Sequence, residues 1–144
     1  MARNALGRTG WIVAVDPRPI EPIDGVEVLR GRVGDARTLE RLGNEPFDVI
    51  LSDMSPAISG AYATDHARSV ALVRAAFDLA PPLLREKGVF VAKVFTGDLL
   101  EELEAELRPQ FRRLVRSKPP ASREHSSEMY LLGLGYRRPA EPAP

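Results

Sequence analysis

The sequence predicts an α/β protein built on a mostly parallel, doubly wound sheet. Three observations predict it. Short apolar runs alternate with amphipathic segments at helical spacing, the pattern of strands joined by helical crossovers. One run, Phe47-Asp48-Val49-Ile50-Leu51-Ser52, ends abruptly in Asp53, with Pro56 three residues later. That is how a buried parallel strand delivers a carboxylate to the rim where open α/β sheets bind ligands. A second run, Val89-Phe90-Val91-Ala92-Lys93-Val94-Phe95, carries a lone lysine, which is costly in a strand unless something pairs with it or uses it.

Each element follows from local chemistry. Trp11 to Asp16 reads as a strand ending in an acid and stopped by Pro17 and Pro19. Val26 to Leu29 is a shorter strand after the Asp24-Gly25 turn, and Ala36 to Leu42 a short helix closed by Gly43-Asn44. Residues 47–52 form the third strand. Asp65 is the expected N-cap of the longest helix, running to Arg85, with Val70, Leu72, Val73, Ala76, Phe77 and Leu79-Ala80 as its apolar face. Lys87-Gly88 ends that segment and a strand over 89–94 follows. Leu99 to Leu107 is a second amphipathic helix, with Leu100, Leu103 and Leu107 inward. Leu114 to Ser117 and Met129 to Leu134 are two last strands. No helix lies between them, so they are expected to pair antiparallel at one edge of the sheet. Residues 1–137 are read as one domain and 138–144 as a disordered, proline-rich tail.

Composition narrows the function. The 144 residues suffice for one domain with a real core. Formal net charge is zero, so nucleic-acid binding would need a local patch. The absence of cysteine excludes disulfides and thiolate metal sites, and it fits a reducing cytoplasm. With only His66 and His125 present, a histidine-based metal site is not expected, and both are read as surface residues. No apolar run is long enough to span a membrane. Trp11 reads as core or edge packing. The cluster Arg112, Arg113, Arg116, Lys118 and Arg123 suits either a solvated surface or RNA phosphates, and few aromatics accompany it.

Ser52-Asp53-Met54-Ser55-Pro56, Lys93-Val94-Phe95-Thr96-Gly97, and Ser122-Arg123-Glu124 through Glu128-Met129-Tyr130 together resemble the FtsJ-type (RrmJ-like) ribosomal RNA 2′-O-ribose methyltransferases. The likeness runs from about Gly10 to Arg137. It implies a Rossmann-like fold, S-adenosylmethionine as cofactor, and methylation of a ribose 2′-hydroxyl in large-subunit ribosomal RNA, with ribosomal RNA or a ribosomal subunit as partner. It also implies a cytoplasmic protein, monomeric at full length and needing no metal. The family's active site is a Lys-Asp-Lys-Glu tetrad. By motif, Asp53, Lys93 and Glu128 are similar to its aspartate, second lysine and glutamate. Asp16 resembles the acid that holds the cofactor's ribose, and Asp53 also lies where the cofactor approaches.

Two departures stand beside the likeness. The family's first tetrad lysine, first strand and glycine-rich cofactor loop have no counterpart here. A gap between the second and fourth strands of the family sheet is therefore expected, from a truncated gene start or fragment sooner than from a rearranged fold. In addition Arg32 follows Gly31 where the family has an aspartate that contacts adenine. Arginine offers no acceptor, and Asp35 is the residue near enough in sequence to substitute. Lys93 is open to two roles, general base or stabiliser of a developing alkoxide. A non-catalytic RNA-binding relative is the competing reading. A dinucleotide oxidoreductase is disfavoured, because no Gly-x-Gly-x-x-Gly precedes Asp16.

Overall fold

The computed structural model describes residues 10–118 and 128–139. Its elements are β1 (Ile12–Asp16), β2 (Val26–Arg30), α1 (Ala36–Leu42), β3 (Phe47–Ser52), α2 (Tyr62–Phe77), α3 (Ala80–Leu83), β4 (Leu84–Phe95), α4 (Leu100–Leu107), a 3-10 turn (Arg108–Gln110), β5 (Phe111–Ser117) and β6 (Glu128–Tyr136). The chain divides into two compact units, Met1–Gly43 and Asn44–Pro144.

In the first unit β1 and β2 pair in parallel, Ile12 opposite Val26 through Asp16 opposite Arg30. The turn after β1 is closed by its own acid: Asp16 Oδ1 accepts the Arg18 amide at 2.8 Å. Trp11 lies at the strand start, largely exposed, and its indole N–H donates to Glu27 at 3.2 Å. It therefore packs at an edge and not in a core. Among the described residues of this unit, Leu29, Thr38 and Leu42 are buried.

The second unit carries a four-stranded sheet in the order β3-β4-β6-β5. β3 and β4 are parallel, and β6 is antiparallel to both β4 and β5. Three strands thus run one way and only the last runs back, as the sequence predicts. The refinement is where that last strand goes: β6 inserts between β4 and β5, leaving β5 at the edge. The described strands form two separate ladders, one in each unit.

One face of the larger sheet is the core. Phe90, Ala92 and Val94 of β4 and Met129 and Leu131 of β6 pack with Val70, Val73, Ala76 and Phe77 of α2 and Leu100, Leu103 and Leu107 of α4. The period-2 and period-3.6 patterns meet there. Phe77 sits edge-on to Phe90 and Tyr136, with ring centroids at 5.4 and 6.3 Å. The opposite face is half covered, and on β3 it shows Val49 and Leu51, 53% and 62% exposed.

Two boundaries differ from expectation. The long helix starts at Tyr62, with Ala61 as N-cap and Asp65 one turn inside. It stops at Phe77, and Pro81 and Pro82 open the separate short helix α3. β4 begins at Leu84, not Val89. A bulge places Leu84 opposite Phe47 and Val89 opposite Val49, with Lys87 at φ 68°.

Candidate active site

Parallel strands β3 and β4 end at the same rim. Their register pairs Ser52 with Ala92, so Asp53, the next residue, comes beside Lys93. Antiparallel pairing sets Tyr130 of β6 directly opposite Lys93 and Glu128 opposite Phe95. Residues opposite one another share a face. Asp53, Lys93 and Tyr130 therefore form a row across three strands on the half-covered face, and Glu128 stands two residues from Tyr130 on the same side.

Atomic contacts close the row. Lys93 Nζ is 3.4 Å from Asp53 Oδ1. The Tyr130 hydroxyl donates to the same oxygen at 3.1 Å. The lysine side chain is 12% exposed and the aspartate side chain 66%, so the amine is enclosed while the carboxylate opens outward. Burial pushes the Tyr130 phenol above its ordinary value of 10.0. Its hydrogen bond to Asp53 and the negative charges of Asp53 and Glu128 push the same way. The phenol is therefore a proton-bearing donor at neutral pH. The sequence singles out Asp53, Lys93 and Glu128 but not Tyr130, which reads there as one more strand residue. Strand alternation offered the signal: Tyr130 shares its face with Glu128 two positions away.

The turn after Lys93 is held by the first turns of α2. His66 is buried, 3% exposed, which corrects its reading as a surface residue. The Leu99 amide donates to His66 Nε2 at 3.0 Å. Nδ1 then carries the proton and donates to the Phe95 carbonyl at 2.7 Å. Ser69 accepts the Phe95 amide at 3.1 Å and donates to the His66 carbonyl at 2.7 Å. Gly97 is required here, because a Cβ at that position would collide with the His66 ring. Asp65 also differs from its expected part. Its carboxylate accepts the Ser59 amide at 2.9 Å and the Ser59 hydroxyl at 2.7 Å, fastening the loop before α2 instead of capping the helix. The Ser59 amide, followed by its hydroxyl, holds the Asp65 carboxyl below its ordinary 3.8.

The remaining sequence candidates are spread over the two units. Asp16 ends β1, half exposed, and its turn contact uses one of the several acceptor positions of a carboxylate. That donor-accepting capacity fits a ribose diol. Asp35 precedes α1 as its N-cap, and its exposed carboxylate makes no capping hydrogen bond, so it keeps acceptors for an amine. Of the basic cluster, Arg112, Arg113 and Lys118 are exposed on or beside β5. Arg116 is engaged: its guanidinium grips the buried Glu104 of α4, with Nε at 2.7 Å from Oε1, and Arg108 shares that carboxylate at 3.5 Å. Alternation along β5 turns Arg113 to the other face, the one that carries Lys93 and Tyr130. Arg123 and His125 lie outside the described residues, as do Ser122 and Glu124 and the tail beyond Pro139. Among the described residues no cluster of His, Asp and Glu could hold a metal ion, and no helix is long and apolar enough to cross a membrane.

Fold and row together define an α/β protein that gathers an amine, a carboxylate and a phenol at the carboxyl rim of its parallel strands. Residues 1–136 match the model of the FtsJ-like methyltransferases. The chain belongs to that family. It is 43% identical over 141 residues to the ribosomal RNA large subunit methyltransferase E of Halorubrum lacusprofundi, covering 94% of this chain and 52% of that protein. The protein of the same description from Archaeoglobus fulgidus is 40% identical over 129 residues, with 88% of this chain and 68% of that one covered. The chain thus spans about half to two thirds of the length of these relatives. Among solved structures, one of a Plasmodium falciparum protein described as a ribosomal RNA methyltransferase superposes with a TM-score of 0.75 at 23% identity, covering 87% of this chain and 71% of that one. At that identity the likeness speaks for the fold.

Proposed function

We propose that this chain carries the catalytic part of an enzyme that moves a methyl group from S-adenosylmethionine to a ribose 2′-hydroxyl of large-subunit ribosomal RNA. The observation that carries the reading is the row Asp53-Lys93-Tyr130, an enclosed amine held at a strand rim by an outward-facing carboxylate. Family membership supports the methyl-transfer chemistry, and the names of the relatives support the RNA. S-adenosylmethionine supplies an electrophilic methyl group when bound. In the first unit, Asp16 would offer acceptors to its ribose and Asp35 to its adenine amine.

The residues of the row act on the acceptor hydroxyl. A ribose hydroxyl is a weak acid, so as the oxygen attacks it must give up its proton, which passes to solvent water at the open rim beside Asp53. Lys93 points an N–H donor at that oxygen and stabilises the negative charge that develops there. Asp53 fixes the ammonium through one oxygen, which Tyr130 also holds, so the lysine arrives oriented. Glu128, beside Tyr130, adds a second acid around the same ribose. Arg112, Arg113 and Lys118 hold backbone phosphates, with Arg123 and the remaining donors of Arg116 as further contributors.

The test is transfer of labelled methyl from S-adenosylmethionine to ribosomal RNA, wild type against Lys93→Ala. Lys93→Ala is expected to lower the rate by a factor of at least about 100, the scale of one oriented catalytic donor, while cofactor affinity by titration calorimetry is unchanged. Turnover retained in Lys93→Ala would remove the amine from the mechanism.

A further inference from the structure

Tyr62 opens α2 and is 59% exposed. Single exposed aromatics are ordinary, but this one is tethered. Its hydroxyl donates to the Thr96 carbonyl at 2.6 Å and lies 3.2 Å from the Thr96 hydroxyl. The residue before Thr96 is itself pinned, its amide to Ser69 and its carbonyl to His66. The phenol ring is therefore anchored at its polar tip while the residue stays largely exposed. A side chain serving only to tie α2 to the turn has no need of a ring held open to water. Thr96 is three residues beyond Lys93, a chain reach of at most about 10 Å. That reach is the span of a few nucleotides.

We propose that the Tyr62 ring is a stacking platform for an unpaired base of the RNA strand, within a few nucleotides of the ribose offered to Lys93. The inference rests on the RNA methyltransferase reading and names a contact at that same site. A fixed aromatic ring loses little conformational freedom when a base settles on it, and every base has a π-face. The platform therefore sets the register of the strand and is tolerant of sequence. It works alongside the phosphate contacts of β5, which supply attraction without position.

The experiment is binding of the full chain to a labelled single-stranded ribo-oligonucleotide, followed by anisotropy. Single abasic sites are moved along the strand. Wild type is expected to show one abasic position that costs roughly tenfold in affinity. Tyr62→Ala should lose about the same factor on intact RNA and show no further loss at that position. Tyr62→Trp, which keeps a ring, should retain the position-specific loss. Circular dichroism checks that each variant is folded, and Tyr62→Leu, apolar without a π-face, serves if Tyr62→Ala is not. Equal binding by wild type and the ringless variants overturns the platform alone, as does a loss that ignores abasic position. Failure of wild type to bind any RNA overturns both the platform and the reading beneath it.

Discussion

At the scale of single residues, the centre turns on one oxygen. Asp53 Oδ1 receives both the Lys93 ammonium and the Tyr130 phenol. Removing its charge should be felt by the phenol. Asp53→Asn is expected to lower the Tyr130 ionisation towards its ordinary value without reaching it, because burial, the leading cause of the shift, persists. Ultraviolet titration of the three tyrosines measures it, with Tyr130→Phe separating its transition from that of Tyr136, which burial also raises. Asp53 and Lys93 were legible in the sequence because each violates its surroundings, an acid ending an apolar run and an amine inside one. His66 was not, since a lone histidine between Asp65 and Ala67 reads as solvated. Its position was nevertheless informative: His66, Val70, Val73 and Phe77 fall at helical spacing on one stripe, and that stripe is the buried one.

At the scale of elements, the first turns of α2 act as a clamp on the turn that follows β4. His66→Ala strands a buried carbonyl on Phe95 and an amide on Leu99. The expected cost is about 2–3 kcal/mol, read from urea midpoints at unchanged slope. The Asp65 contact adds a pH signature. A carboxyl lowered in the folded state contributes stability that is complete above its unfolded value of 3.8 and is lost as pH falls through the lower folded value. The urea-midpoint difference between wild type and Asp65→Asn should therefore be steady near neutrality and shrink only in acid below 3.8. Helix and strand cores were predictable from periodicity, but their ends were not. The apolar face of α2 runs straight on into Leu79-Ala80, so periodicity alone did not show the break that Pro81 and Pro82 accompany. Arg85, Glu86 and Lys87 concealed the start of β4, because a bulged, exposed strand carries no alternation.

At the scale of the whole molecule, the two units differ in how much they bury. The second owns a continuous core in which Val70, Phe90, Leu103 and Leu131 are sealed from solvent, whereas among its described residues the first buries only Leu29, Thr38 and Leu42. Amide exchange should follow that contrast. Amides of β4 and β6 are expected to exchange slowest, and those of β1 and β2 orders of magnitude faster, by mass spectrometry of peptides after timed labelling. Uniform protection across both ladders would contradict it. The alternation of strands and helices made the α/β class legible, but it could not foretell that β6 would take the place between β4 and β5, since pairing order depends on long-range packing. The place of β3 has a consequence of its own. Among the described residues it is the end strand of its ladder, and Val49 and Leu51 lie exposed along it, an arrangement that invites another extended segment to zip alongside. Whatever meets that strand, a neighbouring polypeptide or a copy of itself in a crowded solution, finds a template already laid out, and keeping it covered is the condition for keeping the protein dispersed.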